Sequence, residues 1–170
     1  MLHPFLSQIR DQVFKNIQRS IGDSNDVERS MSYSALSNSK MIRAGLIFAS
    51  GRMNKNISQN SLLTLASSVE LIHTYSLIHD DLPCMDDDDY RRGKASNHME
   101  FGEANAILSG DALQTLAYEI ICDDDDLSPA GKIDAIKLIS KACGKNGMVF
   151  GQHLDIKSES KNLDEKSIEN

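Results

Sequence analysis

The chain has 170 residues, enough for one domain with a sizeable core, and a formal net charge of −7. This acidic balance, with no long basic stretch, argues against a nucleic-acid partner, and the odd count of three cysteines argues against a disulfide scaffold. The amino terminus is amphipathic and no later run reaches about 18 apolar residues, so we expect a soluble, cytoplasmic protein without a membrane span.

Nearly every patterned stretch of the chain has helical periodicity. Apolar residues recur every four positions from Phe5 to Ile21 and predict a first helix from Pro4 to about Ser20. Further helices are predicted at 27–36, 40–49, 61–81, 103–121, 128–142 and 148–156. We see no strand-like alternation. The sequence therefore predicts an all-α fold, a bundle of long helices that forms a single domain over 1–170.

Two segments fall outside this helical pattern. Pro83, Gly93 and an acidic run predict a loop over 82–97. Near the end of the chain, Asn162 followed by Glu165 resembles an N-cap arrangement and predicts the start of another helix.

Six of the ten residues from Asp80 to Asp89 are aspartates, and Arg91 and Arg92 follow almost at once. Carboxylates this close repel one another unless hard divalent cations lie between them, and Mg2+ keeps open positions for substrate phosphates. Arginine binds phosphate through a planar fork of donors. The pattern predicts a site for diphosphate chemistry.

A second aspartate run, 123–126, provides an internal comparison. It lies between a helical stretch and Ser128-Pro129 with no arginine nearby, so we interpret it as a surface turn. The first run instead follows the apolar segment 69–80, which places its carboxylates at the end of a buried helix.

Residues 70–114 read ELIHTYSLIHDDLPCMDDDDYRRGKASNHMEFGEANAILSGDALQ. This segment resembles the short-chain trans-isoprenyl diphosphate synthases, and most closely their bacterial farnesyl diphosphate group. The family motif DDxxxxD followed by RR is matched at Asp80, Asp81, Asp86, Arg91 and Arg92. Two further family stretches match at 101–114 and 147–155, and the resemblance extends over roughly 27–156.

The resemblance implies the isoprenoid synthase fold and a prenyl transfer. With Mg2+ on the aspartates, an allylic diphosphate (dimethylallyl or geranyl) would lose its diphosphate. The double bond of isopentenyl diphosphate would attack the resulting cation, and a proton would then be lost to the released pyrophosphate. The family is usually dimeric, so a homodimer is expected.

The resemblance also implies roles for residues of the motif. Asp80 and Asp86 would be direct metal ligands, with Asp81 a further candidate, and the catalytic step would rest on Asp80, Asp86 and Arg91. Arg91 would hold the allylic diphosphate. The isopentenyl diphosphate would be held by Lys40, Arg43, His73 and Arg92. A satisfied core histidine is the alternative for His73.

Two further pairs of residues are assigned by the same resemblance. Gln152 and Asp155 would lie near the metal, with Gln152 also contacting substrate, although an ordinary polar helix face explains this pair equally well. Tyr75 and Ser76, five and four residues before Asp80, would set the product length. A bulky ring at Tyr75 would limit the pocket and favours farnesyl over geranylgeranyl diphosphate.

The chain departs from the family in two places. The upstream family motif GGKRxRP is matched by NSKMIRA at 38–44, which keeps Lys40 and Arg43 but loses both glycines, the middle arginine and the proline. The lysine-threonine pair and the second aspartate motif, DDxxD, do not occur before Asn170. We therefore expect the chain to be an amino-terminal part of the synthase domain, apparently incomplete, with little or no activity alone.

Three interpretations remain open. The chain is an amino-terminal portion of a farnesyl or geranylgeranyl diphosphate synthase, or a non-catalytic subunit that pairs with a complete synthase, or an acidic Mg2+-binding helical module. The third interpretation does not explain why Lys40, Arg43, His73, Arg91 and Arg92 fall at family positions.

Overall fold

The computed structural model describes residues 3–53 and 56–158. The described elements are α1 (Pro4–Ile21), α2 (Asp26–Ala35), α3 (Ile42–Gly51), α4 (Gln59–Asp80), β1 (Tyr90–Arg91), β2 (Lys94–Ala95), α5 (Asn97–Phe101), α6 (Glu103–Cys122), α7 (Pro129–Cys143) and α8 (Met148–Ser158). The predicted all-α class is confirmed. The chain divides into two compact units, 1–136 and 137–170, so the single domain over 1–170 stays a prediction.

Short-range side-chain caps determine where several helices begin. Asn25 accepts a hydrogen bond from the amide of Glu28 at 3.0 Å, and the Glu28 carboxylate accepts one from the Asn25 side chain at 2.9 Å. Ser58 accepts from the amide of Ser61 at 2.9 Å at the start of α4. Such bonds satisfy amides that have no partner in the first turn of a helix.

Helix α4 lies at the centre of the first unit and packs against α6, α3 and α1. The core includes Val13 of α1, Leu71 of α4, and Leu113 and Ile121 of α6, all fully buried. The 22-residue α4 carries the apolar segment that the sequence placed before the acidic run, and it ends at Asp80. Core packing therefore fixes the position from which the acidic run emerges.

The predicted loop over 82–97 contains an antiparallel hairpin of two-residue strands, so the expectation of no strand is wrong at this point. Two residues are too few to show the period-two alternation by which strands are recognised. The two strands are joined by Arg92 and Gly93, both at positive φ (54° and 80°). Helix α5, a single short turn, was also not predicted.

In the second unit, α8 begins at Met148 as predicted. The helix predicted to begin after Asn162 lies outside the described residues. Within 3–53 and 56–158, the helices lack the combined length and apolar character that crossing a bilayer requires.

Candidate functional site

The acidic run folds back onto the carboxyl end of α4. The amide of Asp86 donates to the carbonyl of Asp80 at 2.9 Å, and the amide of Asp88 donates to the carbonyl of Asp81 at 3.2 Å. Asp87, at φ 53°, makes the reversal possible. The fold thereby brings Asp80 and Asp86, the two predicted direct metal ligands, next to each other.

The carboxylate oxygens of these two aspartates are ligands of the type that Mg2+ prefers. That ion commonly takes one or two protein carboxylates and completes its six oxygen ligands with water and substrate phosphates. No three acidic, histidine or cysteine side chains of the described residues are grouped closely enough to form a complete metal cage. Asp80 and Asp86 would therefore hold the ion together with a phosphate rather than enclose it.

Asp81 has a different environment from its neighbours. Its side chain is buried, and both carboxylate oxygens accept from Nε of Arg91, at 2.7 and 2.8 Å. The hydrogen bond with Asp81, followed by the charges of nearby aspartates, raises the pKa of Arg91 despite its partial burial. Metal binding by Asp81 stays a prediction, and its buried carboxylate would then be shared between the metal and Arg91.

The hairpin turn positions Arg92 apart from Arg91. Nη1 of Arg92 donates to the carbonyl of Asn38 at 3.1 Å, which joins the turn to the segment that precedes α3. A pocket forms at this junction. Its lining includes Lys40, Arg43, His73 and Arg92, the residues predicted to bind isopentenyl diphosphate.

The electrostatics of this pocket favour an anion. Burial, with the charges of Arg43, Arg92 and Arg91, lowers the pKa of His73 to about 4. Its imidazole is therefore neutral near pH 7 and can donate one hydrogen bond while accepting another. Burial and the neighbouring Arg91 lower the pKa of Arg92 from its usual value. The charges of Glu70 and Asp81 only partly counter this lowering of the Arg92 pKa.

Glu70 was not predicted as a site residue. The residue is 4% exposed and lies in the lining of the same pocket, and its carboxylate accepts from the amide of Ala44 at 3.1 Å. Burial raises its pKa, and the Ala44 bond with the charges of Arg43 and Arg92 only partly counters that effect. The sequence did contain a sign that Glu70 belongs to the site: it is an acidic residue in an apolar helix. It also lies three positions before His73 and therefore on the same helix face.

A second, adjoining pocket lies between α2, α4 and the hairpin. The hydroxyl of Tyr33 donates to the carbonyl of Ala95 at 2.9 Å, and the Lys94 amine lies 4.9 Å from the centre of the Tyr33 ring. Buried Asn97 donates to the carbonyl of Ser30 at 2.9 Å. These contacts attach the hairpin to α2 and so fix the position of the two arginines.

The remaining predicted residues lie outside the two pockets. Tyr75 is buried and its ring meets that of His79 edge to face at 5.8 Å, while the Ser76 hydroxyl donates to the carbonyl of His73 at 2.9 Å. Gln152 and Asp155 lie on α8 in the second unit, half-buried and exposed respectively. The roles of these four residues stay predictions.

The second aspartate run forms the expected turn, but Asp124 is buried and is not part of the surface. It accepts from the Ser61 hydroxyl at 3.0 Å and from the amides of Asp126 and Leu127 at 2.9 and 2.8 Å. Charge patterning cannot identify such a residue, because its burial depends on α4, which contributes the Ser61 hydroxyl.

Comparison with known proteins relates these features to a family. The polyprenyl synthetase family model matches residues 24–170. Farnesyl diphosphate synthase of Escherichia coli is 48% identical over 145 residues, which are 84% of this chain and 48% of that protein. The large subunit 1 of the Arabidopsis thaliana heterodimeric geranylgeranyl pyrophosphate synthase is 42% identical over 84% of this chain and 39% of its own length.

Solved structures agree with the sequence relatives. The apo crystal structure of an FPP/GFPP synthase from Zymomonas mobilis superposes with a TM-score of 0.89 at 35% identity, covering 96% of this chain and 61% of that one. The chain spans about half the length of the curated relatives it matches.

Proposed function

The chain belongs to the polyprenyl synthetase family, and from this we propose that it carries part of the active site of a farnesyl diphosphate synthase-type prenyltransferase. The reaction would join an allylic diphosphate, dimethylallyl or geranyl, to isopentenyl diphosphate. The observation that carries the proposal is the cationic pocket lined by Lys40, Arg43, His73 and Arg92, together with the aspartate turn that begins at Asp80.

The pocket side chains suit the isopentenyl substrate. Lys40 and Arg43 are exposed at the mouth and can bind the diphosphate oxygens, with Arg92 on the opposite loop. Neutral His73 can donate an imidazole N–H to the same group without adding charge. These residues would orient the double bond toward the allylic carbon, and orientation alone supplies a large share of such rate enhancements.

The allylic substrate would bind at the aspartate turn. Mg2+ held by Asp80 and Asp86 would compensate the charge on the departing diphosphate. Arg91, oriented by Asp81, would contact the same diphosphate. The allylic C–O bond breaks with its electrons on the diphosphate, a new C–C bond forms from the isopentenyl double bond, and the proton that is lost goes to pyrophosphate.

The product we propose is farnesyl diphosphate, with Tyr75 limiting its length. Geranylgeranyl diphosphate is the second candidate, because the Arabidopsis relative makes that product by its name. The proposal includes a cytoplasmic homodimer. The homodimer rests on the family's usual assembly, and the cytoplasm rests on the odd count of three cysteines, which fits a reducing compartment. A subunit that pairs with a separate synthase is the alternative arrangement.

The proposal is tested with purified protein, Mg2+, geranyl diphosphate and labelled isopentenyl diphosphate. Because the chain spans about half the length of its relatives, we expect at most slow formation of a fifteen-carbon product by chromatography. Where that turnover is measurable, Asp80→Asn should lower it by about 100-fold or more, because it removes a carboxylate that compensates leaving-group charge. Asp125→Asn is the matched control: it removes an exposed aspartate of the second run and should leave turnover unchanged.

Two results would contradict the proposal. One is measurable turnover that is equal in the wild type and Asp80→Asn. The other is absence of product together with absence of pyrophosphate binding by calorimetry in the presence of Mg2+. A twenty-carbon product would instead select the geranylgeranyl candidate.

A further inference from the structure

The amino terminus of α3 has an unusual cap. Its N-cap residue, Met41, has a left-handed conformation (φ 50°) and makes no side-chain capping bond. The first turn contains no acidic residue, although Arg43 brings a positive charge to a helix end that already carries a positive partial charge. Local sequence therefore does little to hold this terminus in place.

Glu70 supplies the missing cap from another helix. Its Oε1 accepts from the amide of Ala44, the third residue of α3, at 3.1 Å. An anionic acceptor at this position satisfies one of the amides left open at a helix start and interacts favourably with the helix dipole. Because Glu70 is buried and belongs to α4, the bond attaches the start of α3 to the central helix.

The hydrogen bond between Glu70 and Ala44 joins the helix that carries Arg43 to the helix that carries His73. On α3, Ala44 is adjacent to Arg43. On α4, Glu70 is three residues before His73 and shares its face. The distance between Arg43 and His73 therefore depends on the Glu70 bond, since both residues are carried on helical turns that this bond joins.

We propose that Glu70 is a positioning residue of the diphosphate pocket, which holds Arg43 in register with His73 by capping α3 through the Ala44 amide. The effect on diphosphate binding rests on the proposed function, whereas the capping itself does not. The competing role is purely electrostatic: the carboxylate would then act through its charge on Arg43 and Arg92.

Three variants separate capping from charge. Glu70→Gln keeps an acceptor oxygen for Ala44 and removes the charge. Glu70→Ala removes both, and Glu70→Asp keeps the charge but withdraws the oxygen by one methylene. Glu119→Ala, which truncates an exposed glutamate on α6, is the matched control.

Two readouts are measured on each variant: hydrogen exchange of the Ala44 amide, and the dissociation constant of inorganic pyrophosphate with Mg2+. We expect Glu70→Ala and Glu70→Asp to reduce Ala44 protection and to weaken pyrophosphate binding, each by about 10-fold, the size typical for loss of a hydrogen bond to a charged group. Glu70→Gln and Glu119→Ala should stay within about 3-fold of wild type on both measures.

Equal losses in Glu70→Gln and Glu70→Ala would overturn the capping role and support the electrostatic one. Unchanged Ala44 protection in both Glu70→Ala and Glu70→Asp would also overturn it. Circular dichroism identifies a variant that fails to fold, and the shorter Glu70→Asp then supplies the comparison. A wild type that binds no pyrophosphate and forms no product contradicts the proposed function, while the exchange data still decide whether Glu70 caps α3.

Discussion

At His73, burial and three neighbouring arginines act in the same direction and lower the pKa to about 4. The side chain is thus kept neutral by the same cations that would bind a diphosphate. A bound anion would oppose this effect, because it would shield His73 from the arginine charges. The lowered pKa of His73 therefore predicts how the stability of the fold depends on pH.

The first residue-level prediction concerns the pH dependence of unfolding. The unfolded chain protonates His73 near pH 6.5 and the folded chain only near pH 4, so between these values the unfolded state binds more protons. The contribution of His73 to stability is complete above pH 6.5 and is lost as the pH falls toward 4. Urea unfolding from pH 4 to 7.5 should show a smaller acid loss for His73→Gln than for wild type.

The matched control for this measurement is His153→Gln, an exposed histidine on α8. Its unfolding curve should follow wild type across the range. If the His73→Gln and wild-type curves also run parallel, His73 is not held neutral by its surroundings.

At the level of the helices, the contact of α4 with α6 fixes the position of the end of α4, from which the aspartate turn begins. Gly110 of α6 faces the ring of His79, the residue just before Asp80, and a Cβ on Gly110 would lie 2.1 Å from Nε2 of His79. The same Nε2 lies 3.1 Å from the carbonyl of Ile107. The absence of a side chain at Gly110 therefore allows the two helices to approach closely.

Gly110→Ala should displace the His79 ring and lower the unfolding free energy by about 1–3 kcal/mol, the usual cost of overpacking. His79→Ala removes the obstructing ring, so the double variant should lose less than the sum of the single losses. Gly151→Ala is the control, because a Cβ there meets no atom within 4 Å and alanine favours a helix. Additive losses in the double variant would show that the two residues do not clash.

The helices illustrate which elements can be predicted from sequence. The four-residue spacing of Ile9, Val13 and Ile17 gave a helix whose observed bounds differ by about one residue from those expected. The hairpin was missed because its strands have two residues each and its turn places Arg92 at positive φ, a conformation that glycine or asparagine usually indicates. The helix was predicted and the hairpin was missed for one reason: the helix has enough residues to show a repeating pattern, and the two-residue strands do not.

Across the first unit, α4 makes polar contacts near both of its ends. Near its carboxyl end lie the pocket and the aspartate turn, and near its amino end Ser61 donates to buried Asp124. Burial alone would raise the pKa of Asp124, but hydrogen bonds from Thr64, Ser61 and two loop amides outweigh it, and the pKa lies below its usual value. The α6–α7 loop is thereby attached to the central helix.

Asp124→Ala should reduce the unfolding free energy by about 1–3 kcal/mol, because it leaves several donors without an acceptor. The neighbouring exposed Asp125→Ala should change it by less than about 0.5 kcal/mol.

The stabilising effect of Asp124 also depends on pH. Since the folded-state pKa of Asp124 is depressed, its contribution to the unfolding free energy is present above the usual carboxyl pKa of 3.8 and is lost as the pH falls below that value. Chemical denaturation at pH 7 and at pH 3 measures both effects, and equal losses for the two variants would refute the anchoring role.

The sequence by itself determined the helical class and the chemical type of the site. Periodic apolar residues specify helices locally, and the aspartates with Arg91 and Arg92 specify metal and phosphate chemistry through their side chains. Only the tertiary structure decided which partner each group takes: Asp81 binds Arg91, Arg92 reaches Asn38 across 54 positions, and Glu70 caps Ala44 across 26. Such partners depend on how the helices pack, and the spacing of residues along one helix does not encode the neighbour it meets.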